Sequence, residues 1–178
     1  MRYALFLIIL VSLAGCATVP PPAPQPPVPR PKPLPTPVPP PVPLSANWQD
    51  WPITLGNWAL KQDARGSFAT FGKPGTNADF MIRCVFATKG ISLSRAGTVA
   101  ENGSRQIIVR TTDRDKTYSV VNDGNMPASV SAETVANDPQ LDAIAFSRGR
   151  FLVSMNGAMD LVIPVSPEFA RVVEDCRV

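Results

Sequence analysis

Apolar and polar residues alternate in short runs from residue 57 onward, and turn-forming residues separate the runs. Alternation with a period of two is the pattern of a half-buried β-strand. The clearest run spans residues 79–86, where one face would carry Phe80, Ile82, Cys84 and Phe86. Weaker runs predict further strands over residues 57–62, 67–71, 91–95, 105–111, 117–121, 151–155 and 158–163.

The last two runs flank Asn156-Gly157, a pair that favours the two-residue turn of a β-hairpin. We therefore expect these two strands to pair directly across that turn.

Two later segments change to a helical period. Each begins with a side chain that can cap a helix, followed by proline at the first helical position: Asp138-Pro139 and Ser166-Pro167. The apolar stripes that follow are Leu141, Ile144 and Ala145 in the first helix, and Phe169, Val172, Val173 and Cys176 in the second.

Many short strands with two late helices predict a mainly β fold. We expect a small antiparallel sandwich or open barrel with one or two short helices packed on it. The alternative is an α+β fold with a single sheet.

The start of the chain has the pattern of an export signal. A positive charge at Arg2 precedes an uncharged run over residues 4–15, which is too short for a membrane span of about 20 residues. We interpret residues 1–15 as a signal peptide.

The quartet Leu13-Ala14-Gly15-Cys16 resembles the lipobox of bacterial lipoproteins. That resemblance implies cleavage before Cys16, acylation of its thiol and amino group, and a lipidated N-terminus over residues 16–19. Two or more acyl chains make a stable membrane anchor. Ala17, rather than Asp, after the cysteine implies the outer membrane, with the domain facing the periplasm. The alternative is an ordinary signal peptide that happens to contain cysteine.

Residues 20–43 contain 15 of the chain's 21 prolines and no aromatic residue. Such a segment cannot bury a core, and proline favours the polyproline II conformation. At about 3.1 Å per residue it would span roughly 75 Å as a semi-rigid tether. A ligand for a proline-binding groove is the alternative.

The remaining residues, 44–178, have the length of a single globular domain. They hold 14 Lys and Arg against 14 Asp and Glu, so their net charge is zero although the whole chain is +3. A neutral domain lacks the basic surface that binds nucleic acid. We therefore expect no nucleic-acid partner.

Cys84 and Cys176 remain as an even pair once Cys16 is assigned to lipid. Both fall on apolar faces, one of a predicted strand and one of a predicted helix. In an oxidising compartment we expect them to form a disulfide that holds the last helix against the sheet. Two buried free thiols are the alternative.

The absence of histidine removes several catalytic possibilities. Ser-His-Asp and Cys-His catalysis and histidine zinc sites all require it. Asp113 and Asp115 form an Asp-x-Asp pair, but the glycine and distal glutamate of a calcium loop are missing. We predict no catalytic residue, no metal and no cofactor.

Two pairs of residues are candidates for binding. Arg148 and Arg150 flank Gly149 and could hold a carboxylate or phosphate, or simply belong to a loop that ends the first helix. Trp48 and Trp51 follow the tether and could stack on cell-wall sugars, or cover the end of the core.

Four segments together resemble small uncharacterised envelope proteins of alphaproteobacteria: residues 56–58, the Cys84 strand, residues 146–151 and residues 174–177. A fainter resemblance is to the invasion-associated locus B family, whose members are exported β-rich domains with more cysteines. Neither resemblance implies a catalytic residue.

Three functions stay open at this point. The preferred one is a non-catalytic binding or structural domain on a lipid anchor, with the membrane and then the cell wall or another envelope protein as partners. The second is an inhibitor of a periplasmic or foreign hydrolase that uses a rigid loop, over residues 111–117 or 122–127. The third is a hydrolase that depends on carboxylates.

Overall fold

The computed structural model describes residues 45–100, 102–124 and 127–178. The predicted signal peptide, the lipidated Cys16 and the proline-rich tether lie outside the described residues. Within the described part, the chain folds into two antiparallel sheets and two short helices. The predicted mainly β fold with a disulfide-held C-terminal helix is confirmed.

The first sheet has six strands, in the order β1-β2-β3-β4-β8-β7. The second has four strands, in the order β10-β9-β5-β6. The strands are β1 (Asn57–Asp63), β2 (Gly66–Gly72), β3 (Phe80–Val85), β4 (Gly90–Ala96), β5 (Gln106–Arg110), β6 (Asp115–Ser119), β7 (Val121–Asn122), β8 (Ser129–Val135), β9 (Arg150–Met155) and β10 (Leu161–Pro164).

Aromatic side chains join the two sheets in one core. The ring of Phe80 on β3 lies 5.8 Å from that of Phe151 on β9. Phe169 of the last helix lies 6.0 Å from Phe151 and 6.1 Å from Trp58. The Trp58 indole N–H also donates to the carbonyl of Pro164, at 2.9 Å. Tilted and edge-on pairs of this kind add to the free energy gained by burying the rings.

The last helix, α2 (Pro167–Arg177), lies on the first sheet and contacts β1 to β4. The Ser166 hydroxyl caps it by accepting from the Phe169 N–H. Its predicted apolar stripe is buried as expected. Cys176 at its end is bonded to Cys84 on β3, which confirms the predicted disulfide. Among the described residues, no helix is both long enough and apolar enough to cross a membrane.

The first helix, α1 (Pro139–Ala145), begins where the sequence predicts. The Asp138 carboxylate accepts from the Gln140 N–H at 3.0 Å, as an N-cap does. Leu141 and Ile144 are fully buried and Ala145 is half-buried. Gly149, with φ +75, follows the helix at the turn into β9.

Strand β8 is not predicted by the sequence pattern. This strand pairs with β4 along its whole length and is an interior strand of the first sheet. Val130 and Ala132 point into the core, but serines flank them and one inward residue is only an alanine. Inward and outward residues do alternate, but the difference in hydrophobicity between them is too small to identify a strand from the sequence.

The predicted two-residue hairpin is wrong. The last residues that pair between β9 and β10 are Val153 and Leu161, so the connection is longer. Asn156 and Gly157 do form a turn, closed by the Ala158 N–H on the Met155 carbonyl at 3.2 Å. Only Gly157 has a positive φ, whereas the type I′ turn of a two-residue hairpin requires it at both positions.

Candidate functional site

The chain enters the folded domain through a short braced segment. A 3-10 turn over Trp48–Asp50 is capped by the Asn47 side chain. The Trp51 indole N–H donates to the carbonyl of Ser45 at 2.6 Å. The guanidinium of Arg150 donates to the carbonyl of Trp51 at 2.8 Å, which ties this segment to the start of β9.

Thr54 then closes the free edge of β10. Its N–H donates to the Val162 carbonyl at 2.9 Å, and its hydroxyl accepts from the Val162 N–H at 3.0 Å. The backbone of β10 is therefore already paired on this side. Thr54 therefore holds the entering segment against the outer edge of β10.

An apolar groove lies between this segment and the loop before β10. We call it the N-terminal groove, and its volume is about 670 Å³. Two of its apolar side chains are largely exposed, Leu55 at 74% and Met159 at 86%. Small-molecule sites in proteins occupy about 300 to 1,000 Å³ and are mostly apolar. The lining residues are Trp51, Pro52, Ile53, Thr54, Leu55, Lys73, Ala158, Met159, Asp160 and Val162.

Arg95 lies behind one wall of the groove and is 2% exposed. One of its terminal nitrogens donates to the carbonyl of Met159, which belongs to that wall. Burial lowers the pKa of Arg95, and the negative charges of Asp160 and Asp79 oppose this shift. These two carboxylates therefore favour the charged form of Arg95. Side chains two residues apart in a strand lie on the same face, so Arg95 shares the core-facing side of β4 with Ile91 and Leu93.

The two predicted tryptophans differ in their surroundings. Trp51 lines the N-terminal groove, whereas Trp48 lies half-buried in the preceding 3-10 turn and is not part of the groove. The prediction that these residues mark a binding surface at the tether exit stays a prediction. The structure places Trp51 among the apolar residues that line the groove, which include Pro52 and Ile53.

The two predicted anion-binding arginines have separate environments. The guanidinium of Arg150 is engaged by the Trp51 carbonyl, whereas Arg148 is exposed and its N–H donates to the Thr112 hydroxyl. Asp142, which could have neutralised them, pairs instead with Arg177 at 2.9 Å. Arg148 is therefore the member of the pair whose side chain is available at the surface.

The charged turn after β5 is rigidly held. The Thr111 hydroxyl donates to the Arg114 carbonyl at 2.8 Å and accepts from its N–H at 3.0 Å. The Thr112 N–H donates to the Ser147 hydroxyl at 3.2 Å, and the Arg148 N–H donates to the Thr112 hydroxyl at 3.2 Å. These bonds join the turn to the loop after α1.

A second cluster of polar side chains is centred on the buried carboxylate of Asp138. From the sequence, this residue is predicted only as a helix cap. The Asp138 side chain is 1% exposed, and one of its oxygens accepts three hydrogen bonds. The donors are the Lys116 ammonium at 2.6 Å, the Thr134 hydroxyl at 2.7 Å and the Tyr118 hydroxyl at 2.8 Å. One carboxylate thus joins β6, β8 and the start of α1.

These contacts keep Asp138 ionised. Burial raises the pKa of a carboxyl group, but here the hydrogen bonds from Lys116, Thr134, the Gln140 N–H and Tyr118 together outweigh it and lower the pKa to about 2. The pKa of Tyr118 is raised, first by burial and then by the adjacent carboxylate. Neither group exchanges a proton near neutral pH, so the cluster is suited to a structural role.

The Asp138 cluster predicts a specific loss of stability in acid. The folded-state pKa of about 2 lies below the ordinary value of 3.8, so the stabilisation is complete above about pH 4 and is lost as the pH falls towards 2. The shift corresponds to about 2 kcal/mol. Urea unfolding of the native chain and of Asp138→Asn should therefore differ most at pH 7 and converge near pH 2. A difference that does not change with pH would contradict this assignment.

Within residues 45–100, 102–124 and 127–178, no group of three or more acidic or cysteine side chains is placed to hold a metal ion. The predicted Asp-x-Asp pair is engaged by cations, Asp113 by Arg114 at 2.8 Å and Asp115 by Arg110 at 3.3 Å. In the part of the chain that the structure describes, we take the N-terminal groove as the candidate binding site because it is a mostly apolar concavity of about 670 Å³.

No family model, curated protein or solved structure matches this chain. The resemblance to alphaproteobacterial envelope proteins and the lipobox assignment stay predictions from the sequence.

Proposed function

We propose that this chain is a lipid-anchored envelope lipoprotein whose domain is a non-catalytic binding module, and that the N-terminal groove is its binding surface. The observation that carries the proposal is the groove itself, an apolar concavity that exposes Leu55 and Met159. Ligand sites in proteins are typically concave and mostly apolar, as this groove is.

The position of the groove fits a tethered module. Its first wall, residues 51–55, is built by the segment through which the chain enters the domain. A lipid on Cys16 and a proline-rich tether over residues 20–43 would hold this end of the domain within reach of the outer membrane. Cell-wall components and other envelope proteins are the candidate macromolecular partners of such a module.

The buried carboxylate of Asp138 is not suited to be the acid of a carboxylate-dependent hydrolase. A hydrolase that depends on carboxylates needs an acid whose pKa is raised so that it can donate a proton. Among the described carboxylates, the most strongly shifted is Asp138, and its pKa is lowered to about 2. Its protonated form is thus disfavoured at neutral pH.

A hydrolase inhibitor is the second candidate, because one observation favours it specifically. The braced turn formed by Thr111, Thr112 and Arg114 is joined to the loop after α1, where Phe146 is 85% exposed. A rigid tip that presents an aromatic side chain beside Arg148 has the character of a protein-binding hot spot. The other candidate loop, residues 122–127, lies partly outside the described residues.

The anchor can be tested by replacing one atom. In Cys16→Ser the thiol that would accept the lipid is absent, so the chain should move from the membrane fraction to the soluble periplasmic fraction. The expected change is nearly complete, because the acyl chains supply most of the membrane affinity. The measurement is fractionation of cells followed by immunoblotting.

A matched control for this test is Ala17→Ser, which makes a similarly small change at the next position and leaves the Cys16 thiol in place. This control should remain in the membrane fraction. If Cys16→Ser is cleaved from its leader and still stays with the membrane as firmly as the native chain, the lipoprotein assignment is wrong.

A further inference from the structure

We propose that the N-terminal groove binds a single acyl chain, and that Lys73 at its rim binds the anionic head of the same amphiphile. This inference rests on the proposed function, because it names the ligand class of the binding module. A free fatty acid or a singly acylated anionic lipid has the required chemistry.

The apolar part of the groove fits an aliphatic chain. Beside Trp51, its walls are mostly aliphatic: Pro52, Ile53, Leu55, Ala158, Met159 and Val162. Transfer of each methylene from water to such walls is favourable by about 0.8 kcal/mol. Methionine has an unbranched, flexible side chain, so Met159 can adapt to the shape of the chain beside it.

The hydrogen bonding of β10 favours an acyl chain over a peptide. Peptides that lie in grooves along a sheet gain affinity by pairing with a free strand edge. Here both the N–H and the carbonyl of Val162 are already bonded to Thr54. A peptide in the groove could therefore not pair with Val162 of β10, whereas a hydrocarbon chain needs no such pairing.

The charges on the groove favour an anionic head. It carries one cation, Lys73, and one carboxylate, Asp160. Neither of them forms an ion pair with a described residue. Lys73 is therefore available to a ligand, and an ammonium binds a carboxylate or phosphate.

The test uses the mature chain, residues 16–178, carrying Cys16→Ser so that no lipid of its own is attached. Palmitate is titrated against it in competition with a fluorescent polyene fatty acid, below the concentration at which palmitate forms micelles. We expect saturable binding of one palmitate per chain. Met159→Asp places a charge among the apolar walls and should weaken binding at least tenfold.

Two comparisons make the result specific. Phe146→Asp makes the same kind of change at an equally exposed apolar residue, 85% against 86% for Met159, and should bind palmitate like the unsubstituted groove. Lys73→Ala should weaken the binding of palmitate several-fold while leaving that of hexadecanol, which has no charge, unchanged. Both exposed positions can be changed without disturbing the core.

The proposal is overturned if palmitate does not bind, if Met159→Asp and Phe146→Asp bind it equally well, or if Lys73→Ala weakens palmitate and hexadecanol alike. It is also overturned if the chain binds phosphatidylglycerol vesicles but not monomeric palmitate, because the groove would then contact a bilayer surface. The anchor is tested separately in cells by Cys16→Ser, so a failure of the groove and a failure of the anchor are distinguishable.

Discussion

Replacing both Cys84 and Cys176 with alanine is expected to lower the free energy of unfolding by about 4 to 5 kcal/mol. The bond closes a loop of 92 residues, so its loss returns a large conformational entropy to the unfolded chain. Both side chains are buried, and their truncation removes further packing between β3 and the end of α2. Stabilities of small domains are about 5 to 15 kcal/mol, so the variant should be close to unfolding at 37 °C.

The measurement is urea unfolding of the native chain and the double variant, followed by tryptophan fluorescence. The native chain, unfolded and refolded with a reducing agent present, separates the two causes, because it loses the bond but keeps both sulfur atoms. The reduced native chain should therefore be more stable than the double variant by the smaller part of the loss, which is due to packing. A change below about 1 kcal/mol in the double variant would mean that α2 is held by its apolar stripe alone.

The disulfide and α2 could be predicted because strong local signals coincide there. Phe169, Val172, Val173 and Cys176 repeat at helical spacing behind a Ser-Pro start, and Cys84 lies in the strand with the clearest alternation. A large contrast between buried and exposed positions identifies an element from its own residues. The same reasoning failed at β8, because its residues are mostly small or polar. This strand is interior to the sheet because it pairs with β4.

The N-terminal groove could be predicted only in part. Trp51 is a candidate for binding from the sequence because it follows the tether and could stack on cell-wall sugars, and it lines the groove. The other wall comes from residues 158–160, more than a hundred positions along the chain, and depends on the length of the β9–β10 connection. Since that connection was predicted as a two-residue turn, the concavity beside it could not be foreseen.

The burial of two charged side chains was the other feature that could not be predicted from the sequence. Arg95 ends a short strand, where a charged side chain is ordinarily solvated, yet it is 2% exposed. Asp138 was identified as a helix cap, but its three further donors come from β6 and β8. Such contacts depend on which strands become neighbours, and strand order is not encoded in the local pattern.

Substitution of Asp138 by alanine is expected to lower the free energy of unfolding by about 3 kcal/mol, because it removes a charge-assisted hydrogen bond, a buried acceptor and a helix cap. The variant leaves the buried hydroxyl of Tyr118 without its acceptor, which costs about 1 to 3 kcal/mol, and it also frees the half-buried hydroxyl of Thr134. It also removes the N-cap of α1, worth about 1 kcal/mol. The Lys116 ammonium is partly exposed and can regain water, which limits the loss.

Asp115→Ala is the matched control, because it removes an acid that forms an ion pair with Arg110 at the surface, where both side chains are well exposed. That change should cost no more than about 1 kcal/mol. Asp138→Asn should fall between the two, since it keeps the shape and the cap but loses the charge that Lys116 neutralises. If Asp138→Ala and Asp115→Ala destabilise the domain equally in urea unfolding at pH 7, the carboxylate does not join the two sheets and α1 as its contacts indicate, and the acid sensitivity must arise elsewhere.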